Sequence, residues 1–286
     1  MLPAPAARVA DDLLVRLDRA LPGRVEGFYI VGSASMGAFR EGRSDVDFVA
    51  VVDHGLSRSE LEKLRAVHAG RWASALVRDT IVHRRWPLVA NGIYLRPGDL
   101  AKSPLEVTPL AGHVSGRFRV APDRGFDVNP VTWHVLARHG IAVRGRSAQQ
   151  LEIHTDPAEL RMWTRGNLNS YWRLWVDGAR GIGVHRPTMR ASIRATMLGR
   201  RHTTAGVLGA PRLHHTIATG EITSKEAAGV HALATFDPRW RGLIEDALAW
   251  WRDAPLGPAY RGRPIARRND AAEFVSVVID AANRLP

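Results

Sequence analysis

The sequence predicts an α/β domain, a small mixed sheet with helices, followed by an all-α helical bundle. Two observations carry this expectation. Short apolar runs of strand character alternate with amphipathic stretches up to about residue 153, and beyond that point strand patterns vanish. In addition, six of the nine tryptophans (Trp163, Trp172, Trp175, Trp240, Trp250 and Trp251) fall in the helical second half. The expected domains are residues 1–153 and 154–286.

The elements follow in order. Val9, Leu13, Leu14, Leu17 and Leu21 recur at helical spacing, giving an opening helix that stops near Pro22-Gly23. Gly27–Val31 and Val46–Val52 read as buried strands, joined by a glycine-containing turn. Ser57 and Glu60 have the spacing of a capping box and start a helix. Ile93–Leu95, within ANGIYL, is a third strand candidate, and residues 96–128, rich in Pro, Gly and Asp, read mostly as loop. Asn129-Pro130 caps a helix closed by Gly140, and IAVRG follows as a short strand. In the second half, Pro187 opens a helix running to Arg201, and Thr223 with Glu226 has capping-box spacing. Helices are also expected over WRGLIEDALAWWRD and AAEFVSVVIDAANRL, with GPAYRGRPIARR between them as a surface loop.

Composition narrows the class. The 286 residues are 45% hydrophobic and 24% charged, in the range of a globular protein, and contain no cysteine, which excludes disulfides and thiolate metal sites. The N-terminal stretch lacks the basic start and apolar core of a signal peptide, and no apolar run is long enough to span a bilayer. A cytoplasmic protein with no membrane partner is the expectation. Forty Lys and Arg against 28 Asp and Glu give a net charge of +12, which suits a polyanion, a nucleotide, or simply an arginine-rich composition.

The chemistry concentrates in VGSASMGAFREGRSDVDFVAVVD, Val31 to Asp53. Gly32 follows a strand and lets the backbone approach a phosphate, while the Ser33 hydroxyl can donate to its oxygens. Asp45 and Asp47 alternate on a strand, so their carboxylates share a face. Two convergent carboxylates suit Mg²⁺ when substrate phosphates fill its other positions, and such an ion assists in-line transfer of a nucleotidyl group. The ordered set of strand, Gly-Ser, turn, Ser-Asp-x-Asp and buried strand predicts a nucleotidyltransferase domain.

On these residues the first half resembles the DNA polymerase β-type nucleotidyltransferase superfamily, and within it the streptomycin/spectinomycin (aminoglycoside) adenylyltransferases. NPVTWHVLARHGIAVRG is similar to the stretch that ends their N-terminal domain, and RLHHTIATGEITSKEAA to a helix, Thr-Gly turn and helix of their helical domain. The resemblance implies AMP transfer from ATP to a hydroxyl of a small acceptor, with ATP and drug between the two domains, in a monomer. It implies Ser33 as a phosphate contact, Asp45 and Asp47 as Mg²⁺ ligands, and Arg212 and Lys225, thirteen apart, as partners of the ATP phosphates.

The sequence departs from this pattern twice. The general base implied by the resemblance is a carboxylate on the third strand, and the residue in that position is Asn91, whose neutral amide cannot accept a proton. Asp79 or Glu106 would take the part if the strand were placed differently. Second, Gly178 through Gly220 contains no acid and seven arginines, among them Arg186, Arg190 and Arg194 on one helix face. Such a face repels a cationic drug and suits an anion, or is a solvated face of a helix burying Met189, Ile193 and Met197. Asp177 is the only nearby acid. The alternatives are therefore a nucleotide-binding relative with weak or no transferase activity, and a transferase acting on an anionic or RNA acceptor. A nucleic-acid partner is admitted but not favoured. His134, His139, His214 and His215 lack metal-ligand spacing and are expected to be structural.

Overall fold

Alternating apolar residues build the sheet of the first part, and helical Trp-Gly packing builds the second. The computed structural model of the protein describes residues 1–82, 86–122, 127–182 and 187–286. The chain divides into two compact units, Met1–Asp156 and Pro157–Pro286.

The first unit is a six-stranded mixed sheet in the order β5-β4-β3-β2-β1-β6. Its strands are β1 (Val25–Val31), β2 (Val46–Val52), β3 (Ala90–Leu95), β4 (Ala111–Val114), β5 (Arg117–Val120) and β6 (Ile141–Arg144). Among these pairings β2 and β3 run parallel and the rest antiparallel. The helices are α1 (Ala4–Ala20), the one-turn α2 (Gly32–Ser35), α3 (Arg58–Ala75) and α4 (Pro130–His139). Val9, Leu13 and Leu17 of α1 and Leu64 of α3 pack on Phe28, Ile30, Val46, Phe48, Ala50 and Tyr94. Because strand side chains alternate, this places Asp47, Val49, Asn91 and Ile93 on the opposite face of the sheet.

Local signals account for several boundaries. The Ser57–Glu60 capping box is formed in both directions, and the Asn129 side chain accepts from Thr132 N at 3.1 Å. Gly140 ends α4 with φ −56°, so it is not a left-handed cap. Glycine is needed there because a Cβ would overlap the Leu136 carbonyl.

The structure corrects the loop expected over 96–128, which contains the β4–β5 hairpin. Its turn, Ser115-Gly116, has φ 49° and 83°, the two positive values that a two-residue turn between right-twisted strands requires. Four-residue strands with arginines at alternate positions of β5 gave too little apolar pattern to register.

The second unit is wholly helical over its described residues. It contains α5 (Pro157–Asn167), α6 (Arg173–Arg180), α7 (Pro187–Thr196), α8 (Arg200–Thr219), α9 (Lys225–Thr235), α10 (Arg241–Trp251) and α11 (Pro264–Asn283). Its core joins Trp172, Trp175, Val207, Leu208, Trp240, Leu248, Phe274, Val275 and Val278. Gly206 and Gly209 let α8 lie directly under the rings of Trp175 and Trp172, which a Cβ at either glycine would overlap.

Three helix expectations are corrected. The helix opened by Pro187 stops at Thr196, and α8 restarts at Arg200 after Gly199 in extended conformation. Ser224, not Thr223, caps α9, accepting from Ala227 N at 3.1 Å, while Glu226 pairs instead with Arg252 at 2.8 Å. Finally, α11 begins at Pro264, inside the stretch expected to be surface loop. Arg267 and Arg268 are buried there, Arg267 donating to Thr203 Oγ1 at 3.2 Å and to the Leu198 carbonyl at 2.5 Å. Arg186 lies outside the described residues, as do the side chains of Arg190 and Arg194.

Candidate active site

Register fixes the centre of the site. Asp47 on β2 pairs with Val31 of β1 on one side and with Asn91 of β3 on the other. Gly32 follows Val31 directly, has φ 65°, and lies so close to Asp47 that a Cβ would overlap its Oδ2. Only glycine satisfies both the left-handed backbone and this approach. The turn continues through α2, where Met36 N donates to the Gly32 carbonyl at 3.1 Å and Ala38 N to the Ser33 carbonyl at 2.9 Å. Among the described residues the Ser33 hydroxyl makes no hydrogen bond, so it is available to a ligand.

Asp45 stands one residue before β2, on the same face as Asp47, and both are partly exposed. Asn91 is 5% exposed and bonded at both ends. Its Nδ2 donates to Asp45 Oδ2 at 3.2 Å, and its Oδ1 accepts from Ser115 N at 2.9 Å. The strand register therefore brings Gly32, Ser33, Asp45, Asp47 and Asn91 together.

The other two acids considered for the base lie elsewhere. The Asp79 carboxylate accepts from Arg78 at 2.8 and 3.1 Å and from Leu88 N at 2.8 Å, which pins the approach to β3. Glu106 is exposed in the loop before β4. The acid that does feel the site is Asp127, which no sequence motif marks. Burial, and then the charge of Asp45, push its carboxyl above the usual range, and its backbone is left-handed at φ 62°. Two carboxylates forced together raise each other's pKa in this way, and a cation placed between them relieves it. No spacing rule links a coil residue to a strand eighty positions earlier. The nearest signal is its place two residues before the Asn129 cap.

The residues suit a hard divalent cation with an incomplete protein shell. Asp45 and Asp47 offer oxygen donors on one face. Among the described residues no group of three or more His, Cys, Asp or Glu side chains is arranged to hold a metal. An ion there would rely on phosphate oxygens and water for the rest of its shell, as Mg²⁺ commonly does.

In the helical unit, Arg212 on α8 and Lys225 at the start of α9 flank one connection. Gly220, with φ 77°, ends α8, and Arg212 Nε donates to the Thr223 carbonyl at 3.0 Å. Lys225 Nζ stands over the Trp251 ring at 4.5 Å, so its ammonium is fixed by a cation–π contact and is not a loose solvated group.

The comparisons with known proteins meet these two halves. Residues 185–278 match the family model described as aminoglycoside adenylyltransferase, C-terminal domain. This part of the helical unit is therefore similar to the C-terminal domain of those enzymes. Its fold is similar to that of spectinomycin adenyltransferase AAD(9) from Enterococcus faecialis, solved with ATP and spectinomycin. That likeness has a TM-score of 0.60 at 13% identity and covers 93% of this chain and 98% of that one. At such identity the likeness is one of fold: a mixed sheet with helices followed by a helical region. No curated protein matches the sequence.

The histidines have structural surroundings. His214 Nδ1 and His231 Nε2 are hydrogen-bonded at 3.1 Å, and burial, then His231 and His215, hold His214 down to about 4. His134 bonds the Asp156 carbonyl at 3.3 Å. Trp172 and Trp175 are core residues packed on α8. No helix among the described residues is long and apolar enough to cross a membrane.

Proposed function

We propose that the protein is an adenylyltransferase that moves AMP from ATP to a hydroxyl of a small, aminoglycoside-like acceptor, releasing pyrophosphate. One observation carries the reading: Asp45 and Asp47 converge beside the left-handed Gly32 turn and the unengaged Ser33 hydroxyl. The fold likeness to a spectinomycin adenyltransferase and the family match over 185–278 support the same reaction and acceptor class.

In this reading Gly32 and Ser33 receive the triphosphate, and Asp45 and Asp47 hold Mg²⁺. When bound, that ion neutralises phosphate charge that the two aspartates alone would repel. The carboxylates must stay ionised for this, and Asp47 projects from a strand paired on both sides, which limits the ordering needed on binding. The Asp127 carboxyl, pushed upward by burial and by Asp45, would be relieved by a divalent cation placed beside Asp45. Arg212 and Lys225 are the cations assigned to the ATP phosphates, as the resemblance implies. Incubation with ATP, Mg²⁺ and spectinomycin or streptomycin, followed by mass spectrometry of the drug, tests the proposal. An added adenylyl group supports it, and its absence with both drugs while ATP binds counts against it.

Asn91 favours a second reading, a nucleotide-binding relative with weak or no turnover, because the amide on β3 cannot take the proton of an attacking hydroxyl. Under that reading ATP binds, no adduct forms, and Asn91→Glu creates turnover.

A further inference from the structure

Asn91 is more than a missing carboxylate. Its amide bridges two otherwise separate parts of the first unit: the Asp45 carboxylate ahead of β2 and the turn of the β4–β5 hairpin. The orientation of the amide is dictated by this network. Turning it over would set its oxygen against Asp45 and its NH₂ against the Ser115 N–H, making both contacts repulsive. The hairpin turn is itself held in place. Ser115 and Gly116 have left-handed backbones, and the Gly116 Cα lies so close to the Trp72 ring that a Cβ there would come within 2.7 Å of it.

We propose that Asn91 is a positioning residue that holds Asp45 in its metal-binding orientation before any cation arrives. A carboxylate at position 91 would sit within hydrogen-bond distance of Asp45 and repel it until an ion bound. The amide replaces that repulsion with a donated hydrogen bond at 3.2 Å, anchored through Ser115 to a fixed turn. The site is thereby preformed without metal, and the residue that orders it supplies no proton acceptor. The inference rests on the proposed role of Asp45 and Asp47 as cation ligands, and it assigns to Asn91 a part that the resemblance does not imply.

The test measures Mn²⁺ binding by electron paramagnetic resonance, without nucleotide and with ATP, alongside melting temperature with and without Mn²⁺. Asn91→Leu removes both hydrogen bonds at similar size and is expected to weaken Mn²⁺ binding about tenfold or more. Asn91→Asp keeps the acceptor for Ser115 and adds a charge beside Asp45. It is expected to melt lower than the parent protein without metal and to gain more from Mn²⁺ than the parent does. A purely structural Asn91 would lower melting in both variants and leave the metal-dependent increment unchanged. Asn91→Leu binding Mn²⁺ within twofold of the parent, or Asn91→Asp melting like the parent without metal, overturns the proposal. Asp47→Asn separates the two levels. If it leaves Mn²⁺ binding intact, the cation site itself is wrong; if it abolishes binding while the Asn91 variants change nothing, only the positioning role fails.

Discussion

The two units hold their candidate functional groups by different means. In the sheet unit the backbone does the placing: Asp47 stands where it does because β2 pairs with both β1 and β3, and Gly32 because β1 ends beside it. In the helical unit side chains do it, with Lys225 held over Trp251 and Arg212 on the Thr223 carbonyl. Strand register fixes the backbone from which Asp47 projects, whereas the two cations end long side chains whose rotamers can shift to meet a ligand. The first arrangement suits groups whose geometry sets the chemistry, and the second suits groups that contribute binding.

Substitutions in the two units test this contrast, and the largest effect is expected at Gly32. Gly32→Ala places a Cβ on Asp47 Oδ2 and strains a left-handed backbone. Turnover should fall about a thousandfold, on the order of 4 kcal/mol of transition-state stabilisation, in a protein that still folds by circular dichroism. Activity within tenfold of the parent would mean that the turn is not rigid.

Acid should act next, through the helical unit. The His214 pKa is about 4 in the folded chain against 6.5 for the free side chain, because burial, His231 and His215 all disfavour its charge. Between these values the unfolded chain takes up a proton that the folded chain refuses. The stability is therefore complete above about pH 6.5 and is lost as pH falls toward 4, by roughly 3 kcal/mol at most. His68 and His113, stacked at 4.3 Å in the sheet unit and both pushed down first by burial, act in the same direction. Urea unfolding of the parent and of His214→Phe at pH 7 and pH 5 checks it, since the variant should lose less.

Gly209→Ala should cost about 1–3 kcal/mol by forcing the Trp172 ring off α8, partly offset by the better helix propensity of alanine. Because the change lies in the helical unit, Mn²⁺ binding at Asp45 and Asp47 should be unaltered. The smallest effect is expected from Lys225→Met, which keeps an aliphatic stem on Trp251 and removes the charge. KM for ATP should rise about tenfold with kcat changed much less, the pattern of lost binding. A loss mainly in kcat would move Lys225 into the group whose geometry sets the chemistry.

How far the sequence could be read follows the same division. The strand pair and its carboxylates were legible because few structures other than a half-buried strand produce a period of two bracketed by Gly-Ser and a buried apolar run. Capping boxes were legible only in part: Ser57 formed its box, while at α9 Ser224 is the cap and Glu226 pairs with Arg252. The β4–β5 hairpin escaped because its strands are four residues long and β5 alternates arginines. Arg267 looked like solvated charge, yet it is buried against Thr203 and Leu198, a partnership that only the packing of α11 on α8 reveals. Asp127 was invisible for a similar reason, since its meaning depends on Asp45 and no local pattern carries that.

The most direct measurement is adenylyl transfer by the parent protein and by Asp47→Asn, with ATP, Mg²⁺ and spectinomycin or streptomycin, read as the mass of the drug. An adduct of one adenylyl group is expected with the parent protein and at least a thousandfold less with the variant. An adduct formed equally by both proteins would mean that Asp47 holds no metal needed for transfer.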